Sequence, residues 1–347
     1  MQQQLKFIVP GAALVLLLGG YFGLSQVAAN SAESRIEDWL YDNELDGQVS
    51  WQSVSSSPFG GTVLLKGVEV MGSEGALKGL DLSIQRLQIS DLANDREYKS
   101  LSLDIQGISF PSSEKGLGQQ LNAEVFGNLL LDSGRSELQP FDLKLQGRYD
   151  NDEQQASYSL SLTLPELLEI ESSQTIDKVR DLDSVFSGAV AQASRHSSAL
   201  ARSGISNHLE GDLDTALKRL LSVELGDSAF SLRDLGYFKR SNALHQRYAL
   251  SLDPTSQDDA ETQRQTAFER QMRNKQKSCE DNLTPLYRDA EQACAGWLAT
   301  LNGQSDGIRL SSSPEERVRV SDLLNAAQRP DRAERLLTRL NLRIESL

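Results

Sequence analysis

The rhythm of apolar and polar positions changes several times along the chain. Residues 7–24, FIVPGAALVLLLGGYFGL, are apolar with no polar face, and the apolar character persists to Ala29. About 20 such residues, rising ~1.5 Å each, cross a hydrocarbon core of ~30 Å. This run therefore predicts a membrane-spanning helix over residues 7–29. Lys6 is the only charged side chain before Glu33, which holds the amino-terminal flank in the cytoplasm and sends the rest of the chain outside. The small residues Val27-Ala28-Ala29 also suit cleavage of a signal peptide. Both readings export the body.

A short helix is predicted over 34–41, where Ile36, Trp39 and Leu40 recur among charged neighbours. The period then becomes two. Val49, Trp51 and Val54 precede a turn over residues 55–61, and residues 62–70, TVLLKGVEV, form the next strand. Residues 78–89 repeat at 99–110: Leu80, Leu82, Ile84, Leu87 and Ile89 match Leu101, Leu103, Ile105, Ile108 and Phe110. In each unit the alternation slips by one, around Arg86 and Gly107, as a β-bulge or a crossing to another layer would make it do. Phe141-Leu143-Leu145 and Tyr158-Leu160-Leu162-Leu164 continue the series. The prediction is one curved antiparallel sheet of repeated short strands. Its alternation offers an apolar face at Leu82, Ile84, Leu103 and Ile105.

Beyond Pro165 the spacing reads as helical. Ile176, Val179, Leu182, Val185, Phe186, Ala189, Val190 and Ala193 form one stripe, and Leu209, Leu213, Ala216, Leu217, Leu220 and Leu221 form a second. Residues 220–236 return to a strand pattern, with Phe230 and Leu232 on one face, and Tyr237 to Leu250 reads as a short helix. Asp258-Asp259 opens a longer helix by placing acid at its positive end, with Phe268, Met272 and Cys279 on one side. Thr284-Pro285 reads as a restart, with Thr as N-cap and Pro at the first helical position. Leu286, Ala290, Ala293, Cys294, Trp297, Leu298 and Leu301 then face one way until Gly303 stops the helix. Were 279–294 one straight helix, its fifteen steps would hold the cysteines about 22 Å apart, against the ~4.4–6.8 Å that a disulfide requires. A turn at 282–285 lets Cys279 and Cys294 meet. Export favours their bond, and two buried thiols are the alternative.

Three regions follow: a membrane anchor at 1–30, a β-rich repeat region at 31–165, and a mainly helical region with a few strands at 166–347. The fold class is α+β.

Composition narrows the chemistry. Across 347 residues, 35 Lys and Arg stand against 49 Asp and Glu, for a net charge of −14. With Lys6 set aside, the exported body carries −15. An acidic chain is poorly suited to phosphate backbones, so no nucleic-acid partner is expected. Two Cys and three His build no zinc ribbon. His196, His208 and His245 have no metal-ligand spacing, and no serine sits in a nucleophile elbow. Gly116-Leu117-Gly118 and Gly72-Ser73-Glu74-Gly75 lack the Lys and following helix of a phosphate loop. No catalytic residue, cofactor site or metal site is predicted, and the chain reads as a non-enzyme. Arg264, Arg270, Arg273, Lys275 and Lys277 form a basic run against Glu269 alone. This is either a solvated helix face or a contact for lipid head groups or an acidic partner.

An amino-terminal anchor followed by VSWQSVSSSPFGGTVLLKGVEV (49–70) and repeated short strands resembles the exported AsmA-like proteins of Gram-negative bacteria and the related YdgA-like family. The likeness covers residues 7–110. It implies a single-pass inner-membrane protein with its bulk in the periplasm, and a curved sheet used in lipid handling or outer-membrane assembly. The expected function is thus a non-enzymatic envelope factor. Its partners are the inner membrane through residues 7–29 and a lipid or envelope protein. The alternative is a scaffolding component of a secretion or pilus machine that docks through the helical hairpin.

Overall fold

The computed structural model describes residues 32–42, 45–57, 61–72, 81–94, 97–110, 126–179, 221–285, 287–327 and 330–347. The anchor, the stripe from Leu182 to Ala193, the stripe from Leu209 to Leu220, the glycines at 116–118, the start of the first repeat at 78–80, His196 and His208 lie outside them. Among the described residues no helix is long and apolar enough to cross a membrane.

The strands are β1 (Val49–Ser50), β2 (Ser53–Ser56), β3 (Thr62–Met71), β4 (Asp81–Asn94), β5 (Tyr98–Ser109), β6 (Phe141–Asp150), β7 (Gln155–Leu164), β8 (Leu168–Asp177), β9 (Glu224–Asp234), β10 (Gly307–Ser312), β11 (Val318–Arg319) and β12 (Leu342–Ser346). The helices are α1 (Ala32–Asp42), α2 (Gly127–Asp132), α3 (Tyr237–Tyr248), α4 (Ala260–Leu283), α5 (Ala290–Leu301), α6 (Val320–Ala327) and α7 (Pro330–Leu340). Sheet order is β1-β3-β4-β5-β6-β7-β8-β9-β10-β12, with β2 beside β3 and β11 beside β9, and the sheet is antiparallel. The α+β class read from the sequence is what the chain adopts. Contacts divide the chain into two compact units. One holds the residues before 123 together with 142–159 and 176–223, and the other holds 123–141, 160–175 and 224–347.

In the first unit the repeated segments become β4 and β5, which pair directly. Ile84 lies opposite Ile108, Leu87 opposite Ile105 and Ile89 opposite Leu103. The predicted slip in alternation is present. Buried positions run Val63 and Leu65 then Val68 on β3, Ile84 then Leu87 on β4, and Leu101, Leu103 and Ile105 then Ile108 on β5. Pairing nevertheless keeps one register on both sides of the slip, Lys66 with Arg86 and Val68 with Ile84 on one side of β4, Arg86 with Gln106 and Ile84 with Ile108 on the other. No extra residue is inserted there, so this is not a register-shifting bulge. Gly67 and Gly107, which flank Gln85 in this row, take φ of +57° and +66°. That conformation, open to glycine, turns the chain over without changing the count. A true register shift lies further along, between Ser90 and Ala93, beside Asp91 at φ +54°.

α1 closes over β2 in the same unit, with Ile36, Leu40 and Leu45 buried. The Trp51 indole N–H donates to Glu33 Oε1 at 3.3 Å. Further along, the Tyr149 hydroxyl reaches Asn151 Oδ1 at 3.0 Å and Val179 O at 3.3 Å.

The change of regime at Pro165 is corrected. Pro165 sits in a turn closed by the Leu167 N–H on Leu164 O at 3.0 Å, with Glu166 at φ +61°. The chain then returns as another strand, β8, which contains Ile176. The helical spacing of Ile176 and Val179 is coincidental, because Lys178 between them takes φ +60° and ends the strand.

The second unit contains β9, β10 and β12 side by side. Leu232 pairs with Ile308, which pairs with Ser346. Phe230 pairs with Leu310, which pairs with Ile344. Phe230 and Leu232 thus share a face, as their spacing predicts. α5 packs on β10 and β12 through a face containing the buried Ala290, Ala293, Cys294, Leu298 and Thr300. The Thr300 hydroxyl, fully buried, donates to Gly307 O at 2.9 Å. α6 and α7 form a second hairpin around Val318, Ala326 and Leu336, with Leu225, Leu323 and Leu340 against them. Glu224, also buried, lies 3.7 Å from Arg317 and 3.9 Å from Arg319.

Candidate interaction surface on the helical hairpin

The hairpin begins where the sequence places it. Asp259 is the N-cap of α4, and its carboxylate accepts the N–H groups of Glu261 at 2.9 Å and Thr262 at 2.8 Å. These bonds, with the Thr262 hydroxyl, hold the Asp259 carboxyl below the usual carboxylate range, Thr262 being the main cause. α4 then runs 24 residues, about 36 Å at ~1.5 Å per residue.

Its end departs from the expectation. Thr284 caps the C-terminus of α4 instead of opening the next helix. Its N–H and its hydroxyl both donate to Glu280 O, at 2.9 and 2.7 Å. Pro285 has no N–H to continue the ladder, and α5 starts at Ala290. The turn nevertheless returns the chain antiparallel. Cys279 and Cys294 are bridged, their Cα atoms 5.9 Å apart, and Cys294 is fully buried.

α4 gives little of itself to the core. Phe268 is its buried residue among those described. It lies beside α3, where His245 Nε2 meets Gln271 Oε1 at 2.9 Å and the His245 ring sits 6.5 Å from Phe268. His245 is therefore a packing and hydrogen-bonding residue. At 100° per residue, Arg270, Arg273 and Lys277 fall on the side of α4 opposite Phe268. All three are exposed, as is Lys275, whereas Arg264 is half-buried. Arg273, with 67 % of its side chain exposed, lies 3.9 Å from Glu269 one turn earlier, an ion pair of small energetic weight at such a surface. Arg270, Arg273 and Lys277 thus form a cationic stripe on a helix anchored at its other side by Phe268 and the disulfide, whereas Arg264 and Lys275 fall on the Phe268 side.

The four residues of the expected apolar face are placed differently. Leu82 is half-buried, but Ile84, Leu103 and Ile105 are 8 %, 3 % and 2 % exposed. Register sets Leu103 and Ile105 opposite Ile89 and Leu87, and sets Ile84 opposite Ile108. Three of the four are closed to solvent and belong to the interior. No group of three or more His, Cys, Asp or Glu among the described residues is arranged to hold a metal.

Two features of the second unit escaped the sequence. Glu166, in its left-handed turn position, pairs with Arg135 while its carbonyl accepts from Arg240. Burial, then the charge of Arg135, pulls the Arg240 guanidinium below its ordinary pKa. Tyr287, between the two hairpin helices, donates its hydroxyl to Leu342 O at 3.0 Å. Burial and then Asp289 raise its pKa. A lone Tyr in a loop carries no pattern that announces such a role.

Comparison with known protein families and with curated proteins finds no match.

Proposed function

We propose that the protein is a membrane-tethered scaffold of the bacterial envelope that binds a protein partner through the cationic face of α4. The observation that carries this reading is the stripe of Arg270, Arg273 and Lys277, exposed on a long helix whose opposite side is fixed. Of the five cations that face one carboxylate over residues 264–277, these three share that face, in a chain of net charge −14. A partner with an acidic face is the complement. A rigid helix lowers the entropy that such docking costs. The apolar run at 7–29 and the resemblance of residues 7–110 to AsmA-like proteins support a site at the inner membrane with the body in the periplasm.

Lipid handling through an open sheet groove is the weaker reading, since Ile84, Leu103 and Ile105 are closed to solvent. In neither case does the protein break bonds in a substrate. Native mass spectrometry of the detergent-solubilised full chain, beside crosslinking in intact membranes, separates the two. The scaffold reading expects no stoichiometric lipid and a discrete protein adduct that weakens as salt rises. Stoichiometric lipid with no protein adduct would overturn it.

A further inference from the structure

Among the described residues β12 is the last strand in the sheet order, paired on one side with β10. The Leu347 N–H donates to Gly307 O at 2.9 Å, within the register that sets Arg309 opposite Glu345 and Ser311 opposite Arg343. In an antiparallel pair, residues bonded to the neighbour alternate with residues whose N–H and C=O point away. The backbone groups of Leu342, Ile344 and Ser346 therefore point to the outer edge. Such an edge is a template for another strand unless something blocks it. Here the Tyr287 hydroxyl does so. It donates to Leu342 O at 3.0 Å, occupying an acceptor that an added strand would use. Tyr287 lies within the segment closed by the Cys279–Cys294 bond, so the hairpin that carries it is pinned.

We propose that the outer edge of β12 is a pairing surface for a second copy of this chain, kept shut by Tyr287. The strand is self-complementary. About a two-fold axis through Ile344, antiparallel pairing sets Ile344 against Ile344 of the second copy, with its outward N–H and C=O exchanging two hydrogen bonds. The same axis sets Arg343 opposite Glu345 of the second copy, twice over, and Leu342 opposite Ser346. Arg343 and Glu345 are both exposed on one face. Opposite charges directly across an antiparallel pair attract, and like charges repel. Pairing about this axis uses the β12 edge of both copies and so closes on two.

The test uses the full chain in detergent micelles, with mass read by light scattering across a concentration series. Wild type is expected to form no dimer through this edge, and Tyr287→Ala to dimerise at micromolar concentration. Adding Arg343→Glu should weaken that dimer at least tenfold, and adding Glu345→Arg to both should restore it. A folded Tyr287→Ala that stays monomeric, or a dimer indifferent to Arg343→Glu, would overturn the proposal. Tyr287→Phe, which keeps the ring and removes the hydroxyl, gives a separate reading by carbonyl carbon NMR. The Leu342 carbonyl should move upfield on losing the hydrogen bond it accepts, while the carbonyls of Arg343 and Glu345, which face β10, stay in place. An unchanged Leu342 carbonyl would refute the seal itself.

Discussion

At Gly107 the buried parity of β5 changes, and the backbone there favours glycine. A Cβ at Gly107 would lie 2.5 Å from Gln85 Cδ, a contact that a swing of the glutamine relieves. The left-handed φ of +66° is not relieved, and it costs an L-residue about 1–2 kcal/mol. Gly107→Ala is expected to lose roughly that much stability in urea denaturation, and Gly107→Asn less, since Asn tolerates this region. Equal stability of all three would contradict the account. The slip around Arg86 and Gly107 was readable from the apolar pattern, but its cause was not. An inserted residue and an inverted glycine produce the same string of apolar positions, and only the register separates them.

Asp259 and Thr284 make the same point at the two ends of one helix. Acid before an amphipathic segment signals an N-cap, because few other arrangements satisfy the first N–H groups. A threonine before proline is ambiguous, since its hydroxyl serves the end of one helix as well as the start of the next. The lowered pKa of Asp259 has a definite sign. Its capping bonds are fully present above the unfolded carboxyl value of about 3.9 and are lost as pH falls through the depressed folded value. Following the Thr262 amide by NMR during acid titration should give a midpoint below about 3.9, and Asp259→Asn should flatten the curve. A midpoint at or above the ordinary value would refute the cap.

Among the elements, the hairpin of α4 and α5 was the most legible. Proline cannot sit inside a continuous helix cheaply, and the separation of the two cysteines excludes a bond along a straight one. A loop of this length closed by a disulfide is worth about 3 kcal/mol in the unfolded-chain entropy model. The Cys279→Ala, Cys294→Ala double variant is expected to lose stability of that order, and unreduced wild type should show no titratable thiol. A double variant as stable as wild type would mean that the bond adds nothing to folding. β8 was the least legible element. Leu168, Ile170 and Ile176 alternate, but Ser172 and Gln174 interrupt the apolar face, and Ile176 with Val179 then mimics a helical step. The strand comes from pairing within the sheet, a tertiary effect that local spacing does not carry.

For the molecule as a whole, the sequence offers an expectation of compartment and none of occupation. An acidic body behind the apolar run at 7–29, with two cysteines placed to bridge, is the pattern on which we propose export to a site beside a membrane. It does not say what the domain holds. The burial of Ile84, Leu103 and Ile105 moves the weight from a lipid groove to a protein surface, and the charge on α4 selects which surface. The most direct measurement is site-specific photo-crosslinking in living cells, from position 273 of the full-length protein and, as a control, from exposed Arg309 on β10. We expect one discrete protein adduct from position 273, absent from 309 and abolished by Arg270→Glu with Lys277→Glu at unchanged protein level. No adduct from 273, or one that survives the charge reversal, would contradict a function carried by the cationic face of α4.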